Sequence, residues 1–540
     1  MKKNDIVRTL ITDMSFDGMG IGRDENGFVI FVQNAVVGET VDAHILKVLK
    51  NTAYAKIHKI ITPSEMRIEP ECPLCSKCGG CAYQHISYEK ELEIKTAQIN
   101  NVLKNIAKTD VRAKNTLPSP SVHRYRNKAL FPLGYDENEK ITAGFYKKRS
   151  HTVIPCDDCI ITPESFIKIK DCIIDFMEKY GLKPYDEETH KGLVRHIFLR
   201  KAYHTDEIMV GLVINADTIP HKEEFTDTLL SLDLNVKSIV LNINKKKTNV
   251  ILGKKTVAIY GVNYIHDTMN ENHFEISCQS FYQVNTPQAE KLYETALSFI
   301  DEGNDTVFDL YCGIGTISHC LSKKAKKVYG IESCAPAVED ANRNKKLNRA
   351  DNLEFICDLA ENAVPKLIKS GITPDIVVLD PPRSGCEKSL IDTILKAEPK
   401  KIIYISCNPA TLARDINLFK EKYNLEFVQG VDLFPKTNHV ETVALLTKLK
   451  ESDSITVELN LDELEVTAPE MKATYGQIKE YVLNKYDFKV SSLNIAQVKQ
   501  ECGIIERENY NKPSDDYKQP NCPKAKVNAI KDAFEYFRMI

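Results

Sequence analysis

In ISCNPATLARD, residues 405–415, Cys407 follows an apolar run and precedes an Asn-Pro pair that fixes the next turn. A thiolate at such a strand end could attack an electron-poor ring carbon. LDPPRSG, residues 379–385, ends a second apolar run with Asp380, two prolines and Arg383. NHVETVALL, residues 438–446, puts Glu441 ahead of a third run, where a carboxylate could take a proton from the same substrate. A parallel α/β sheet would gather such groups at the carboxyl ends of its strands. Each residue also has a plainer reading. Cysteine is often only a small buried side chain, and Cys386, right after the DPPR turn, is a rival nucleophile. The proline-fixed turn favours Cys407.

A fourth stretch, FDLYCGIGTIS (308–318), has an acid at a strand end, Asp309, then a turn with Gly313 and Gly315, then a helix. Glycine lets the backbone approach a ligand closely. The next strand ends in Glu332, about twenty residues on, where a carboxylate can hold two ribose hydroxyls. Asp358 ends the third strand, within reach of a base. Together these point to a nucleoside-containing cofactor. NAD would fit the glycine turn and Glu332, but S-adenosylmethionine enzymes share the layout and the DPP stretch favours them. Amino-group methyltransferases carry an aromatic after Asp/Asn-Pro-Pro; here Arg383 argues against amine chemistry.

ECPLCSKCGGCAYQH (71–85) holds Cys72, Cys75, Cys78 and Cys81. The N-terminus has no apolar run suited to a signal peptide. No stretch of about 18 apolar residues suggests a membrane span, so the expected compartment is the reducing cytoplasm. The sixteen cysteines are then better read as ligands, nucleophiles or buried side chains than as disulfides. Zinc knuckles usually separate their Cys pairs by about a dozen residues or more, whereas only Ser76 and Lys77 intervene here. Iron–sulfur clusters use such close runs, with a last ligand from far along the chain.

Several domains must position these groups, since 540 residues are enough for about three to four. Residues 1–62 alternate as short strands, suggesting a small OB-like β-barrel. A helix at ISYEKELEIKTAQINNVLKNI follows the cysteines, and strands predominate to about 285. HRYRNKALFPLGY and GFYKKRSHTV interleave basic and aromatic residues, which suits RNA but also a solvated charged face. The net charge of −3 means that any polyanion site must be a local patch. From about 286 to 448 helices and strands alternate, as in a parallel α/β sheet. ESDSITVELNLDELEVTAPE reads as a linker with a short strand, and 470–540 as a mostly helical unit with a loose ENYNKPSDDYKQPNCP loop.

DLYCGIGTIS, VLDPPRSG, SCNPATLARD and HVET, in this order, resemble the bacterial RNA uracil-C5 methyltransferases over roughly residues 1–448. The resemblance implies a multidomain α/β protein. It would have a TRAM barrel (1–62), a central α+β RNA-binding domain with an iron–sulfur cluster (63–285) and a Rossmann-like methyltransferase domain (286–448). An accessory segment of unassigned role, 455–540, lies outside the shared body. The resemblance implies Cys407 as the nucleophile that adds to uracil C6, and Glu441 as the base that removes the C5 proton. It implies S-adenosylmethionine as cofactor, bound by Gln283 of FYQVN, Tyr311, Thr316, Glu332, Asp358 and Asp380. Tyr311 stands where Phe is frequent in the family, and Thr316 where Asn is. The family's cysteine pattern maps onto Cys72, Cys78, Cys81 and distant Cys159 as ligands of a [4Fe–4S] cluster, with Cys75 and Cys156 as spares. Barrel plus cluster favours 23S rRNA as substrate, with tRNA the close rival; a monomer is expected. A non-catalytic iron–sulfur RNA-binding protein is the distant one, against which intact Cys407, Glu441 and Asp380 speak.

Overall fold

Alternating apolar and polar residues close the start of the chain into a barrel. In the computed structural model its strands are β1 (Ile6–Met14), β2 (Gly20–Arg23), β3 (Val29–Gln33), β4 (Thr40–Val48) and β5 (Thr52–Thr62), in the order β1-β2-β3-β5-β4. Every second residue points inward, so Ile11, Ile30, Val32, Val41 and Ile45 fill the interior. The structure describes residues 1–148, 150–303, 305–449, 475–502 and 522–537. The expected linker strand at ESDSITVELNLDELEVTAPE and most of the ENYNKPSDDYKQPNCP loop lie outside them.

Past the cysteine segment come a helix, Tyr88–Asn105, and a short strand, β6 (Lys114–Leu117). A seven-stranded sheet follows: β7 (Lys128–Tyr135), β8 (Ile141–Tyr146), β9 (Val153–Pro155), β10 (Val194–Lys201), β11 (Ile208–Ile214), β12 (Val236–Ile243) and β13 (Lys255–Gly261). Its order is β13-β12-β11-β10-β7-β8-β9. The helix Glu164–Lys179 lays Phe166, Ile169 and Ile173 against Phe131, Ile197 and Leu212 of this sheet. A hairpin, β14 (Tyr264–Met269) and β15 (Asn272–Ser277), leads to the last sheet.

That sheet contains β16 (Thr306–Leu310), β17 (Lys327–Glu332), β18 (Leu353–Cys357), β19 (Ile376–Leu379), β20 (Lys401–Ser406), β21 (Tyr423–Val431) and β22 (Glu441–Lys448). The order is β18-β17-β16-β19-β20-β22-β21-β6, with β16 to β20 all parallel. Strand order reverses between β16 and β19, the crevice where open α/β sheets bind ligands. β19 is buried at every residue, as expected of a parallel strand covered by helices on both faces. One of the two edge strands is β6, which precedes the central sheet in sequence. The helix Tyr88–Asn105 packs Ile99, Val102 and Leu103 into the core of the last sheet. A reading by sequence order groups residues 63–285 together; in space, the helix and β6 complete the α/β layer.

One buried ionic network joins these parts. Lys95 donates to Glu91 and to Asp432, both at 2.7 Å, with all three side chains fully buried. Tyr88 donates to the other Asp432 oxygen at 2.9 Å. The Lys436 backbone N–H donates to Glu91 at 2.8 Å, and the Lys436 carbonyl accepts the backbone N–H groups of Ala82 and Tyr83. Asn438 donates to the Phe16 carbonyl in the barrel at 2.6 Å. The loop running from Asp432 to Glu441 is thereby tied to the barrel, the cysteine segment and the helix. Replacing Lys95 with Met would take from two buried carboxylates the cation they share. Thermal or urea unfolding of that variant should show a loss of about 3–5 kcal/mol.

The unit at 455–540 contains, among its described residues, three helices, Tyr475–Tyr486, Ser492–Glu501 and Lys524–Tyr536. They enclose their own core of Ile478, Val482, Ile495, Val498, Ile530 and Phe534. Among the described residues no helix is long and apolar enough to cross a membrane.

Candidate active site

β19 and β20 end side by side, and their loops are stitched together. Asn408 caps the helix Pro409–Phe419, its side chain accepting the Ala410 N–H at 3.1 Å. Pro409 suits the first helical turn because no N–H is needed there. The Asn408 side-chain amide also donates to the Arg383 carbonyl at 3.2 Å, and the Thr411 hydroxyl donates to the same carbonyl at 3.3 Å. Cys407 is thus held between a capped helix and the Asp380-Pro-Pro-Arg383 turn. Glu441 enters from the antiparallel neighbour, where Ser406 of β20 pairs with Thr442 of β22.

The charges here act on one another. Desolvation, with the carboxylates of Glu441 and Asp380 adding to it and Arg383 opposing, pushes the Cys407 thiol up to about 11. Burial and the charge of Asp380 push Glu441 up to about 8, again against Arg383. Asp380 is pushed up to about 7 by desolvation. Arg383 donates to the imidazole of His439 at 3.5 Å, a ring kept neutral because burial, then Arg383, lowers it to about 4. The rival Cys386 differs: it is buried at 5% exposure, its S–H faces the Tyr404 hydroxyl at 3.6 Å, and burial pushes it up to about 12. Cys407 is half-buried and faces the cluster of charges.

Beside this cluster, the strand-end turn after β16 forms a small cavity of about 30 Å³ lined by Asp309, Tyr311, Gly313, Thr316, Asp380 and Phe281. Gly313 and Gly315 both have positive φ, 57° and 81°, and a Cβ on Gly315 would fall 2.4 Å from the Phe355 ring. Tyr311, with φ 68°, adopts the same left-handed region without being glycine, a strain that concentrates at functional sites. Glu332 accepts the Gly313 N–H at 3.2 Å and the Cys334 N–H at 2.8 Å. Thr316 meets the Tyr293 hydroxyl at 3.1 Å. Asp358 instead accepts from the Leu359 N–H at 2.8 Å and pairs with Lys366 at 2.6 Å, so in this structure it serves the start of a helix. Gln283 is buried, its carbonyl accepting from Asn127 at 2.9 Å. Tyr311, Thr316 and Asp380 therefore share one cavity; Gln283, Glu332 and Asp358 lie outside its lining. Phe281, exposed at 66%, and Arg383 belong to the site without being among the expected ligands. The aromatic in FYQVN is the sequence signal for the first. The departure from an aromatic after Asp-Pro-Pro is the signal for the second.

The cysteine segment forms a second centre. Cys72, Cys75, Cys78, Cys81, Cys156 and Cys159 line one cavity of about 270 Å³, with Arg126 and Lys128. Contact with Cys156 pulls the Cys159 thiol down to about 6, while burial pushes Cys81 up to about 12. Among the described residues no three His, Cys, Asp or Glu side chains close around a single point. The donors are nonetheless mostly sulfur, six thiols with the Asp158 carboxylate and two cations beside them, and a sulfur-rich lining suits an iron–sulfur centre. Spares and ligands are not separated: Cys75 and Cys156 line the cavity with the other four.

The HRYRNKALFPLGY stretch is divided: Tyr135 at its end is exposed, whereas Tyr125 and Arg126 turn inward. Tyr125 is 8% exposed and donates to the Pro435 carbonyl at 3.0 Å. Arg124 pairs with Asp158 at 2.7 Å, and Arg126 lines the cysteine cavity.

Residues 87–449 match the family described as tRNA (uracil-5-)-methyltransferase, and residues 2–58 match the TRAM domain. The chain belongs to the tRNA (uracil-5-)-methyltransferase family. Within this family it is 45% identical over 449 residues to an uncharacterized RNA methyltransferase of Clostridium tetani, covering 83% of this chain and 97% of that one. It is 44% identical over 449 residues to a counterpart from Listeria innocua, covering 83% and 98%. The solved tRNA (uracil-54, C5)-methyltransferase of Pyrococcus abyssi, in complex with S-adenosyl-L-homocysteine, shares the fold with a TM-score of 0.66 at 24% identity. That match covers 82% of this chain and 99% of the P. abyssi protein. As a member of the family, the protein is an RNA methyltransferase with an N-terminal TRAM barrel.

Proposed function

We propose that this enzyme methylates uracil C5 in 23S rRNA through a covalent Cys407–C6 intermediate. The observation that carries the mechanism is the clustering of Cys407, Glu441, Asp380 and Arg383 where β19, β20 and β22 meet. Uracil C5 is a poor nucleophile. When the Cys407 thiolate adds to C6, the ring electrons move to C5 and O4, and C5 becomes a carbon nucleophile. S-adenosylmethionine would supply the methyl group, held by the glycine turn, Tyr311, Thr316 and Glu332, with Gln283 and Asp358 at its margins. Asp380 lines that cavity and its charge acts on Cys407, which supports contact with both base and cofactor. After C5 is methylated, Glu441 takes the C5 proton, the electron pair reforms C5=C6, and Cys407 leaves as thiolate. The target base must first leave its stack, at a cost of a few kcal/mol. The barrel and central sheet would offset that by holding the flanking RNA.

For 23S rRNA over tRNA the support is the barrel together with the cysteine cavity, while the family description and the P. abyssi protein's name point to tRNA. Mass mapping of 5-methyluridine in both RNAs from a strain lacking this protein decides between them. Loss from 23S rRNA is expected; loss from tRNA alone would overturn the substrate.

Arg383 should matter through charge. It opposes the two carboxylates that raise Cys407, so Arg383→Ala should lower kcat/KM about 10–100-fold, in keeping with 1.4–2.8 kcal/mol of lost charge stabilisation. The pH profile carries the sign. The thiol is raised to about 11 and Glu441 to about 8, and both act deprotonated, so kcat/KM should climb from pH 6.5 to 9. The Arg383→Ala profile should sit further to the alkaline side. A maximum at pH 6 would contradict this assignment.

We further propose Cys72, Cys78, Cys81 and Cys159 as the ligands of a [4Fe–4S] cluster that staples the cysteine segment to the β9 loop. Loop-closure entropy grows slowly with length, and metal–thiolate bonds can exceed it. Changing each Cys to Ser under anaerobic purification should remove iron and the brown absorbance in those four variants only. Equal iron loss in Cys75→Ser or Cys156→Ser, or stoichiometric zinc in the unaltered protein, would reject this ligand set.

A further inference from the structure

Away from the site, a cavity of about 510 Å³ lies at the β7–β8–β9 end of the central sheet. Its floor is His196 at the start of β10, 5% exposed, with neither ring nitrogen hydrogen-bonded. Leaving a buried polar group unpaired costs about 1–3 kcal/mol, so the position is costly unless a ligand completes it. Next to it Arg195 lies over the Tyr185 ring at 4.2 Å, and its guanidinium donates to the carbonyls of Asn244, Lys246 and Thr248 at 2.9–3.2 Å. The cation is thereby spent on holding the wall. On the opposite side Tyr146 stacks on His151 at 5.1 Å, and Glu187 bridges the two, pairing with His151 at 2.7 Å and accepting from the Tyr146 hydroxyl at 3.5 Å. Glu188 also lines the cavity. Behind Tyr146 and His151 the surface turns basic: both residues are shared with an open groove of about 610 Å³ that Lys147 and Lys148 line.

We infer that this cavity is a base-binding subsite, taking one unpaired purine of the RNA substrate while the adjoining phosphates lie along Lys147 and Lys148. The inference rests on the RNA methyltransferase reading and adds a second point of contact away from the reacting uracil. Burial, then Arg195, lowers His196 to about 4, so its ring is neutral and offers one N–H donor and one acceptor. A base edge that pairs donor with acceptor satisfies it. Glu187 and Glu188 repel phosphate but accept from an exocyclic amine, which adenine and guanine carry and uracil lacks. The flat face of Tyr146 or Tyr135, the latter 51% exposed, provides stacking, which is tolerant of sequence and worth about 1–3 kcal/mol per base.

The test uses the full-length protein and single-stranded oligo(A) and oligo(U) RNA at fixed salt, with fluorescence anisotropy as readout. The unaltered protein should bind oligo(A) about tenfold more tightly, and 2-aminopurine placed in the oligomer should be quenched. His196→Phe, which fills the floor without polar atoms, should erase the preference. Tyr146→Ala, at a more exposed position, should relieve the quenching and keeps the test valid if the first variant does not fold. Lys147→Ala should weaken both oligomers alike and flatten the salt dependence. A preference for oligo(A) that survives both His196→Phe and Tyr146→Ala would overturn the subsite. So would equal binding of the two oligomers with methylation of the natural RNA intact, which would leave the proposed function standing. Failure to bind or methylate any RNA would bring down that function and the subsite with it.

Discussion

Replacing Cys407 with Ala should abolish methyl transfer, by about 10⁴-fold or more in kcat, because no other group at the site can make C5 nucleophilic. Cofactor affinity should change by no more than a few-fold, since the thiol faces the β19 and β20 loops rather than the glycine turn. RNA carrying 5-fluorouridine should form a stable adduct with the unaltered protein, because fluorine cannot leave as a proton. Peptide mass mapping should place that adduct on Cys407. An adduct on Cys386 would contradict the burial of that thiol against the Tyr404 hydroxyl.

Glu441→Gln should stall the reaction after methylation. The amide fits the same space, 4% exposed, but cannot take the C5 proton. Turnover should fall about 10²–10⁴-fold, and a covalent protein–RNA species should accumulate with natural RNA, visible as a shifted band under denaturing conditions. Proton removal after methylation should no longer follow a group titrating near pH 8, while adduct formation should still climb with pH because the Cys407 thiol must lose its proton. Normal turnover without adduct would assign the proton to another base.

Cys407, Asp380 and Glu441 are legible in the sequence because each needs a particular residue type at a strand end, and apolar β-rich runs mark those ends. The five-stranded barrel is legible from period-two alternation. Other features depend on partners far away in sequence. Lys95, Glu91 and Asp432 look like ordinary surface charges until two elements more than three hundred residues apart meet. HRYRNKALFPLGY has the composition of an RNA patch, yet Tyr125 and Arg126 turn inward because the cysteine segment and the Pro435 loop cover them. β6 is only KNTL, too short to carry a pattern. Asp358 ends its strand as expected, but its partner Lys366 sits two helical turns on, where a lysine reads as one more solvated charge. The family's cysteine pattern sets Cys75 and Cys156 aside, whereas three-dimensional proximity puts them beside the other four.

The pairing of β6 with β21, Gln429 opposite Lys114 and Val431 opposite Leu117, has a consequence for how the chain is made. At about 5–20 residues per second, roughly 15–60 s of synthesis separate the two strands. The barrel can close early, since its strands are local. The helix Tyr88–Asn105 cannot bury Ile99, Val102 and Leu103 until the far edge of the α/β sheet arrives. Such a long-range closure is slow and leaves apolar surface open meanwhile, so the nascent chain needs shielding over that interval. The same pairing means that a fragment beginning near residue 286 would carry every residue of the charged cluster yet expose β21 as an unpaired edge, a template for aggregation rather than a minimal enzyme.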